Sequence, residues 1–213
     1  MTKPEFFSFW VRANGPIKGP KDLRGTKIGT ARRGSAPHVL GLYVAKKLGM
    51  EKEMKIVAVG GFRERIAALK TGVIDGFIQT TLPVVNFLAR GELRSVLDTK
   101  DYLPKDWIGF PLFARRQFAQ EQPATVTKVT RALLAAGRFM MDNPDWTRKK
   151  MQEMMGYSPE GAVIAQREFN ISPTGLVDRK AVEATVNFFL ENKVISKEKL
   201  PPLDKLYTNR FNK

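Results

Sequence analysis

One stretch of the sequence organises the rest: Asp22-Leu-Arg-Gly-Thr-Lys-Ile-Gly-Thr-Ala-Arg-Arg-Gly-Ser-Ala-Pro-His38. Residues 27–31 favour a short β-strand, and residues 32–34 favour a turn. Ser35 is a candidate helix N-cap, and Pro37 suits a first helical turn, where its missing N–H is not needed. A helix that begins here directs free backbone amides at the turn, and such an end attracts anions.

Strand and helix patterns alternate from this stretch to residue 97. Apolar residues recur on single helical faces, and glycines follow the helix ends. The predicted strands are 27–31, 55–59, 74–79 and 93–97, and the predicted helices are 35–48, 62–71 and 82–90. This order indicates an α/β fold in which helices cover a parallel or mostly parallel sheet.

Two aromatic stretches, 5–13 and 107–119, flank this alternating region, and both favour extended backbone. A linker rich in glycine and proline, 14–20, follows the first of them. After residue 123 the sequence predicts four amphipathic helices, which run to Asn143 and then over 145–155, 158–169 and 178–192.

The composition excludes several kinds of site. The 213-residue chain has no cysteine, so disulfides, thiolate metal sites and cysteine nucleophiles are ruled out. A single histidine, His38, argues against a histidine metal site and against a Ser-His-Asp triad. We therefore expect no catalytic residue, no metal and no cofactor.

The net charge of +15 is uneven along the chain. Residues 1–50 hold ten Lys and Arg against two Asp and Glu, whereas residues 151–213 hold nine against eight. A basic surface suits nucleic acid, an anionic membrane or an acidic ligand, so a basic nucleic-acid-binding protein is one alternative function. Because no nucleic-acid-binding motif accompanies the charge, we expect no nucleic-acid partner.

Three loops follow the predicted strands at their carboxyl ends, where open α/β sheets bind ligands. The candidate ligand-binding residues in these loops are Arg32, Arg33, Gly34, Ser35, Gly60, Gly61, Phe62, Gln79, Thr80 and Thr81. The guanidinium groups favour an anion, the glycines allow close approach to the backbone, and the amide and hydroxyl groups supply hydrogen bonds. We interpret this edge as a binding site for a small molecule.

Several of these residues have an alternative role. The two arginines of the first loop are also typical of a solvated turn. Ser35 is also suited to capping its helix, and Thr80 or Thr81 to capping the next one. Phe62 is suited to stacking on a ligand or to packing in the core, as are three further aromatic residues, Trp10, Trp107 and Phe110.

Four segments, taken in order, resemble ABC-transporter substrate-binding proteins of the nitrate/sulfonate/taurine and thiamine-precursor class. Asp22-Leu-Arg-Gly-Thr-Lys-Ile-Gly29 resembles the start of that family's second lobe, and Gly34-Ser-Ala-Pro-His38 resembles its ligand loop. Ala67-Ala-Leu-Lys-Thr-Gly-Val-Ile-Asp-Gly76 is similar to a run in the same lobe, and Phe113-Ala-Arg-Arg-Gln-Phe-Ala119 to its return crossover. The resemblance covers residues 16–213.

The resemblance implies a type II periplasmic binding fold, with one complete βαβ lobe and the C-terminal helical part of a second, incomplete lobe. Residues 1–20 would be a hinge strand and linker left from lobe one, and 21–106 the α/β ligand-binding lobe. Residues 107–119 would be the return hinge strand and 120–213 the helical part of lobe one. Trp10, Trp107 and Phe110 would then lie in the hinges.

The resemblance also implies a function, which is non-catalytic binding of a small anionic or heteroaromatic solute for an ABC-type importer. A sulfonate, nitrate, a carboxylate and a pyrimidine precursor all fit the predicted loops, and the transporter permease is the implied partner. The alternative is a pyrimidine-precursor biosynthetic enzyme on the same fold, because relatives of the thiamine-precursor branch use a histidine, for which His38 is the candidate.

One departure from the family pattern concerns the start of the chain. Family members carry a signal peptide and most of a first sheet before the hinge, and neither is found here. N-terminal truncation is our preferred interpretation, while a missing upstream partner and a homodimer that covers the incomplete lobe are the alternatives. The resemblance implies a periplasmic location, and a genuine start at Met1 would imply a cytoplasmic one.

Overall fold

The computed structural model describes residues 7–212 except 105, 109, 170, 171 and 173. The described chain forms two compact units. The sheet unit consists of residues 7–103 and 157–168, and the helical unit consists of residues 104–156 and 169–212.

Five strands, eight α-helices and five short 3-10 helices make up the regular structure of the described residues. The strands are β1 Ser8–Arg12, β2 Lys27–Thr30, β3 Lys55–Ala58, β4 Gly76–Gln79 and β5 Leu93–Asp98. The helices are α1 Ala36–Lys47, α2 Phe62–Lys70, α3 Val85–Ala89, α4 Arg116–Glu121, α5 Pro123–Asp142, α6 Pro144–Met155, α7 Pro159–Glu168 and α8 Arg179–Glu191. None of the helices in the described ranges is both long and apolar enough to cross a membrane.

The predicted elements of the sheet unit are confirmed with small shifts at their ends. The strand predicted from residue 74 begins at Gly76, because the N–H groups of Val73 and Ile74 still bond to the Ala68 carbonyl at the end of α2. The helix predicted over 82–90 begins as a 3-10 turn, Leu82–Val84, and continues as α3.

The strand order in the sheet is β3-β2-β4-β1-β5. Strand β2 is parallel to β3 and to β4, whereas β1 is antiparallel to β4 and to β5. Four strands therefore share one direction and β1 opposes them, which confirms the prediction of a mostly parallel sheet in an α/β fold.

The position of β1 corrects the sequence analysis, which placed residues 1–20 outside the α/β lobe. Strand β1 pairs on both sides within the sheet: Phe9 lies opposite Ile78 of β4 and opposite Leu97 of β5. Its side chains alternate between the two faces, because Phe9 and Val11 join one core cluster while Trp10 joins the other. The hinge role of this strand stays a prediction.

The two core clusters cover opposite faces of the sheet. Helix α1 contributes Val44 and Ala45 to the cluster that contains Phe9. Helix α2 contributes Leu69 to the cluster that contains Trp10, and α3 packs on this same face. The sheet unit is thus a three-layer sandwich of helix, sheet and helix.

Helix α7 belongs to the sheet unit although it lies late in the sequence, within the range 120–213 that was predicted as one helical part. The Tyr157 hydroxyl donates to the Leu82 carbonyl at 3.0 Å, and the Ser158 amide donates to Asn86 Oδ1 at 2.8 Å. Ala162 and Ala165 of α7 are fully buried. These contacts fix α7 beside α3, so the predicted boundary at residue 120 does not separate the two units.

The stretch predicted as a return hinge strand, 107–119, is not a strand in its described part. Its described residues up to 115 are irregular, and residues 116–119 belong to α4. Trp107 packs instead against α8, with its ring edge-to-face to Phe188 and Phe189 at centroid distances of 5.1 and 6.0 Å. The aromatic composition of this stretch led to the prediction of extended backbone. The packing of Trp107 against α8 accounts for an aromatic residue at this position without a strand.

The helical unit exposes many large apolar side chains, as an incomplete lobe predicts. Phe113 is 85% exposed and Met154 is 80% exposed. The other exposed large apolar residues of this unit are Phe110, Leu112, Phe118, Val129, Leu133, Phe139, Met141, Trp146, Met155, Leu176, Val194 and Leu206. Cover from additional chain, from a partner or from a second copy stays a prediction.

Candidate ligand-binding site

The three predicted loops lie at one edge of the sheet, because the strands that precede them are neighbours in the order β3-β2-β4. The Val59 amide donates to the Thr30 carbonyl at 2.9 Å, and the Gly60 amide donates to the Ala31 carbonyl at 3.0 Å. These bonds join the loop after β3 to the loop after β2. The ligand-binding role of the ten candidate residues stays a prediction.

The connections after β2 and β4 leave the sheet toward opposite faces. Helix α1, which follows β2, packs on one face, and α3, which follows β4, packs on the other. The neighbouring carboxyl ends of β2 and β4 therefore form a topological switch point, which is where open α/β sheets form their ligand crevice.

The first loop presents its two arginines to solvent, since Arg32 and Arg33 are both exposed. Gly34 has a φ of 75°, a left-handed conformation that glycine adopts without strain. The Ser35 hydroxyl donates to the Arg32 carbonyl at 2.6 Å and accepts no hydrogen bond from a helix amide. Ser35 is the N-cap residue of α1, but the side-chain cap predicted for its hydroxyl is not formed.

The helical segments that follow the three loops start without side-chain caps in the described structure. This holds for α1 after Ser35, for α2 after Gly61 and for the 3-10 turn after Thr81. The capping role considered for Thr81 is thus not observed. The first amides of α1 and α2 have no intrahelical partner, so this edge of the sheet offers hydrogen-bond donors to an anion.

Two aromatic candidates pack in the core rather than in the crevice. The ring of Phe62 lies edge-to-face against Phe77 and Phe87, with both centroid distances at 6.0 Å. Trp10 is buried, and its indole N–H donates to the Gln79 carbonyl at 2.9 Å. These contacts support the packing role for both side chains and hold the end of β4 in place.

Trp107 and Phe110, the other aromatic candidates, belong to the helical unit. Phe110 is about half exposed and lines a groove of about 190 Å³ together with Pro111, Leu112, Thr130, Leu133 and Leu134. The hinge role of both residues stays a prediction.

Arg65 is a residue at this edge that the sequence analysis missed. Its side chain is only 4% exposed. Its Nη1 donates to the Ile78 carbonyl at 2.7 Å, and its Nε donates to the Gly61 carbonyl at 3.2 Å. Burial lowers the pKa of this guanidinium, while the charge of Glu64 raises it. The signal was present in the sequence, because a charged residue three positions after Phe62 and four before Leu69 falls on the apolar face of α2.

A second polar group that the sequence analysis missed lies where β1 starts and β5 ends. The Ser8 hydroxyl donates to the Asp98 carboxylate, and the Ser95 hydroxyl donates to the same oxygen at 3.1 Å. Lys100 lies 3.6 Å from the other oxygen of Asp98. Only the antiparallel insertion of β1 brings Ser8 to this edge. The spacing of residues in the sequence therefore does not predict the contact between Ser8 and Asp98.

His38 lies in the first turn of α1 and holds the first loop. The Gly34 amide donates to His38 Nδ1 at 3.3 Å, which requires a neutral imidazole. Burial is the main cause that lowers the pKa of His38, and the nearby charge of Arg33 lowers it further. Within the described ranges, no group of three or more His, Cys, Asp or Glu side chains is arranged to hold a metal ion.

We expect the folded chain to lose stability as the pH falls below about 6.5, the ordinary pKa of histidine. The folded pKa of His38 is lowered, so its contribution to stability is complete above the unfolded pKa and is lost as the pH falls through the folded value. NMR titration of the single imidazole measures this pKa directly. The urea-unfolded chain is the control, and a folded pKa at or above the unfolded one would contradict the expectation.

Comparison with known proteins identifies the family of this chain and shows which solved structures share its fold. The sequence matches the protein family described as NMT1/THI5 like over residues 1–147. A search of curated proteins finds no match to it. The structure is similar to the periplasmic aliphatic sulphonate binding protein SsuA from Escherichia coli, with 20% identity and a TM-score of 0.71, over 90% of this chain and 62% of that one.

Two further solved structures share the fold. The alkanesulfonate-binding protein SsuA from Xanthomonas axonopodis pv. citri, bound to MOPS, is 17% identical with a TM-score of 0.75, over 92% of this chain and 70% of that one. The desulfurization enzyme DSZB is 18% identical with a TM-score of 0.63, over 98% of this chain and 75% of that one. These likenesses confirm the predicted periplasmic-binding-protein-like fold, and this chain spans less than two thirds of the Escherichia coli protein's length.

Proposed function

The chain belongs to the NMT1/THI5-like family, and from this premise we propose that it binds a small anionic solute of the sulfonate class without transforming it. The observation that carries the proposal is the meeting of three loops at adjacent strand ends, where α1 and α2 start without side-chain caps. A sulfonate carries one negative charge and three acceptor oxygens, which match free backbone amides and the two arginines of the first loop.

Two of the fold relatives are described as sulfonate-binding proteins, which supports this choice of ligand class. The partner in this proposal is the permease of an ABC-type importer, and the location is the periplasm. The groups at the crevice are amides, hydroxyls and guanidinium groups, which bind an anion by hydrogen bonds and charge. DSZB, with the same fold, is described as an enzyme, so the test below includes product analysis.

The test is thermal unfolding of the purified chain with a panel of anions, each paired with a neutral analogue of similar shape. The panel contains alkanesulfonates, taurine, nitrate and aromatic carboxylates, and methanesulfonamide is the neutral partner of methanesulfonate. A ligand at a hundred times its dissociation constant should stabilise the chain by about 2.7 kcal/mol. Equal stabilisation by a neutral partner, or none by any sulfonate, would contradict the proposal, and conversion of the ligand would indicate an enzyme.

The double variant Arg32→Ala/Arg33→Ala should weaken sulfonate binding by about tenfold, because charge-assisted hydrogen bonds to the anion are lost. The matched control is Lys46→Ala/Lys47→Ala, which removes the same charge from two exposed residues at the other end of α1. The control should bind like the wild type in isothermal titration calorimetry. Equal weakening in both double variants would show that only the net charge of the chain matters.

A further inference from the structure

The guanidinium of Arg65 lies beside the end of β4, one of the two strands of the topological switch point. Arg65 is the fourth residue of α2, and its side chain points back toward the helix start, as helical side chains do. It bonds to the Gly61 carbonyl in the loop after β3 and to the Ile78 carbonyl near the end of β4. One buried cation therefore joins the loop after β3 to the end of β4.

Arg65 forms no ion pair with a carboxylate of a described residue, although the charge of Glu64, its neighbour on α2, acts on it and raises its pKa. Both of its hydrogen bonds go to backbone carbonyls, and none of the ion pairs in the described chain includes it. A buried charge that forms no direct ion pair is unfavourable, and an anion bound beside Arg65 would reduce that cost.

Arg65 is buried, unlike the two arginines of the first loop. Arg32 and Arg33 are exposed, so water and salt screen their charges. Arg65 is 4% exposed, and the lower dielectric around it strengthens its interaction with a nearby anion. Of these three arginines, Arg65 is the one whose charge acts with the least screening at the crevice.

We propose that Arg65 determines the selectivity of this crevice for anions: its buried guanidinium, held by the Gly61 and Ile78 carbonyls, is the counter-charge for the acidic group of the ligand. This inference rests on the proposed function and adds the residue that separates a sulfonate from a neutral molecule of the same shape. The ligand class is a monoanion with several acceptor oxygens, such as an alkanesulfonate.

The experiment measures the ratio of methanesulfonate affinity to methanesulfonamide affinity by calorimetry, on the full chain and its variants. Arg65→Gln should reduce the ratio roughly 10- to 100-fold, because a hydrogen-bonded charge is removed. Arg65→Lys keeps the charge but not the forked geometry, so it should retain most of the ratio. Arg63→Gln is the matched control, since it removes the same charge from an exposed position in the same helical turn.

A purely structural role for Arg65 gives a different result. The lysine and glutamine variants would then lose thermal stability together, and the affinity ratio would not follow the charge. An unchanged ratio in folded Arg65→Gln, or an equal loss in Arg65→Lys, would overturn the inference. Absence of sulfonate binding by the wild type would instead overturn the proposed function.

A measurement on the wild type keeps the inference testable if the Arg65 variants do not fold. The buried Nε–H of Arg65 should give an NMR resonance that shifts on saturation with methanesulfonate and not with the sulfonamide. An Arg65 resonance that stays unmoved while the wild type binds methanesulfonate would overturn the inference.

Discussion

Phe9→Ala should lower the free energy of unfolding by about 3–5 kcal/mol, the range for removing a large aromatic side chain from a packed core. Phe9 is a fully buried residue of β1, and its neighbours across the sheet are Ile78 and Leu97. The substitution leaves a cavity between the sheet and α1, because the ring belongs to the same core cluster as Val44.

Urea denaturation followed by circular dichroism measures this loss. Phe113→Ala is the matched control, because it makes the same substitution at a ring that is 85% exposed. The control should change the free energy of unfolding by less than about 0.5 kcal/mol. Similar losses in both variants would contradict the position of β1 inside the core.

Gly76→Ala should lower the free energy of unfolding by about 1–3 kcal/mol, because the new methyl group overpacks the sheet. A Cβ at this position would lie 2.8 Å from the Trp10 carbonyl oxygen and 2.9 Å from Val11 Cγ1. The carbonyl belongs to the backbone of β1, so it cannot move aside without disturbing the pairing of β1 with β4.

The control for this variant is Gly19→Ala, a position with nothing within 4 Å of the added Cβ and with extended backbone, φ −158°. We expect its free energy of unfolding to stay within about 0.5 kcal/mol of the wild type in the same urea titration. A neutral Gly76→Ala would show that β1 and β4 do not approach as closely as the structure indicates.

The local elements of the sheet unit follow from the sequence by itself, and the physical reason is that their signals are local. The helix predicted over 35–48 is observed as Ala36–Lys47, because an apolar face, an early proline and a following glycine depend only on near neighbours in the chain. The position of the three candidate loops at one sheet edge could also be predicted, since parallel strands joined by helices leave their carboxyl ends together.

Tertiary structure alone decided how individual side chains are used at that edge. Phe62 packs against Phe77 and Phe87, and the Trp10 indole donates to the Gln79 carbonyl. Neither outcome has a signature in residue spacing, because each depends on which group lies nearest after the chain has folded.

Long-range pairing decided the rest of the fold. Strand β1 enters the sheet between β4 and β5, and α7 packs beside α3, although each lies far from its partners in the sequence. Composition and periodicity determine which segments become strands and helices, but the choice of neighbours depends on burial summed over the whole core. Arg65 shows the same division: its place on the apolar face of α2 and its bond to Gly61, four residues earlier, depend on near neighbours in the chain. Its bond to the Ile78 carbonyl forms only when α2 packs against β4.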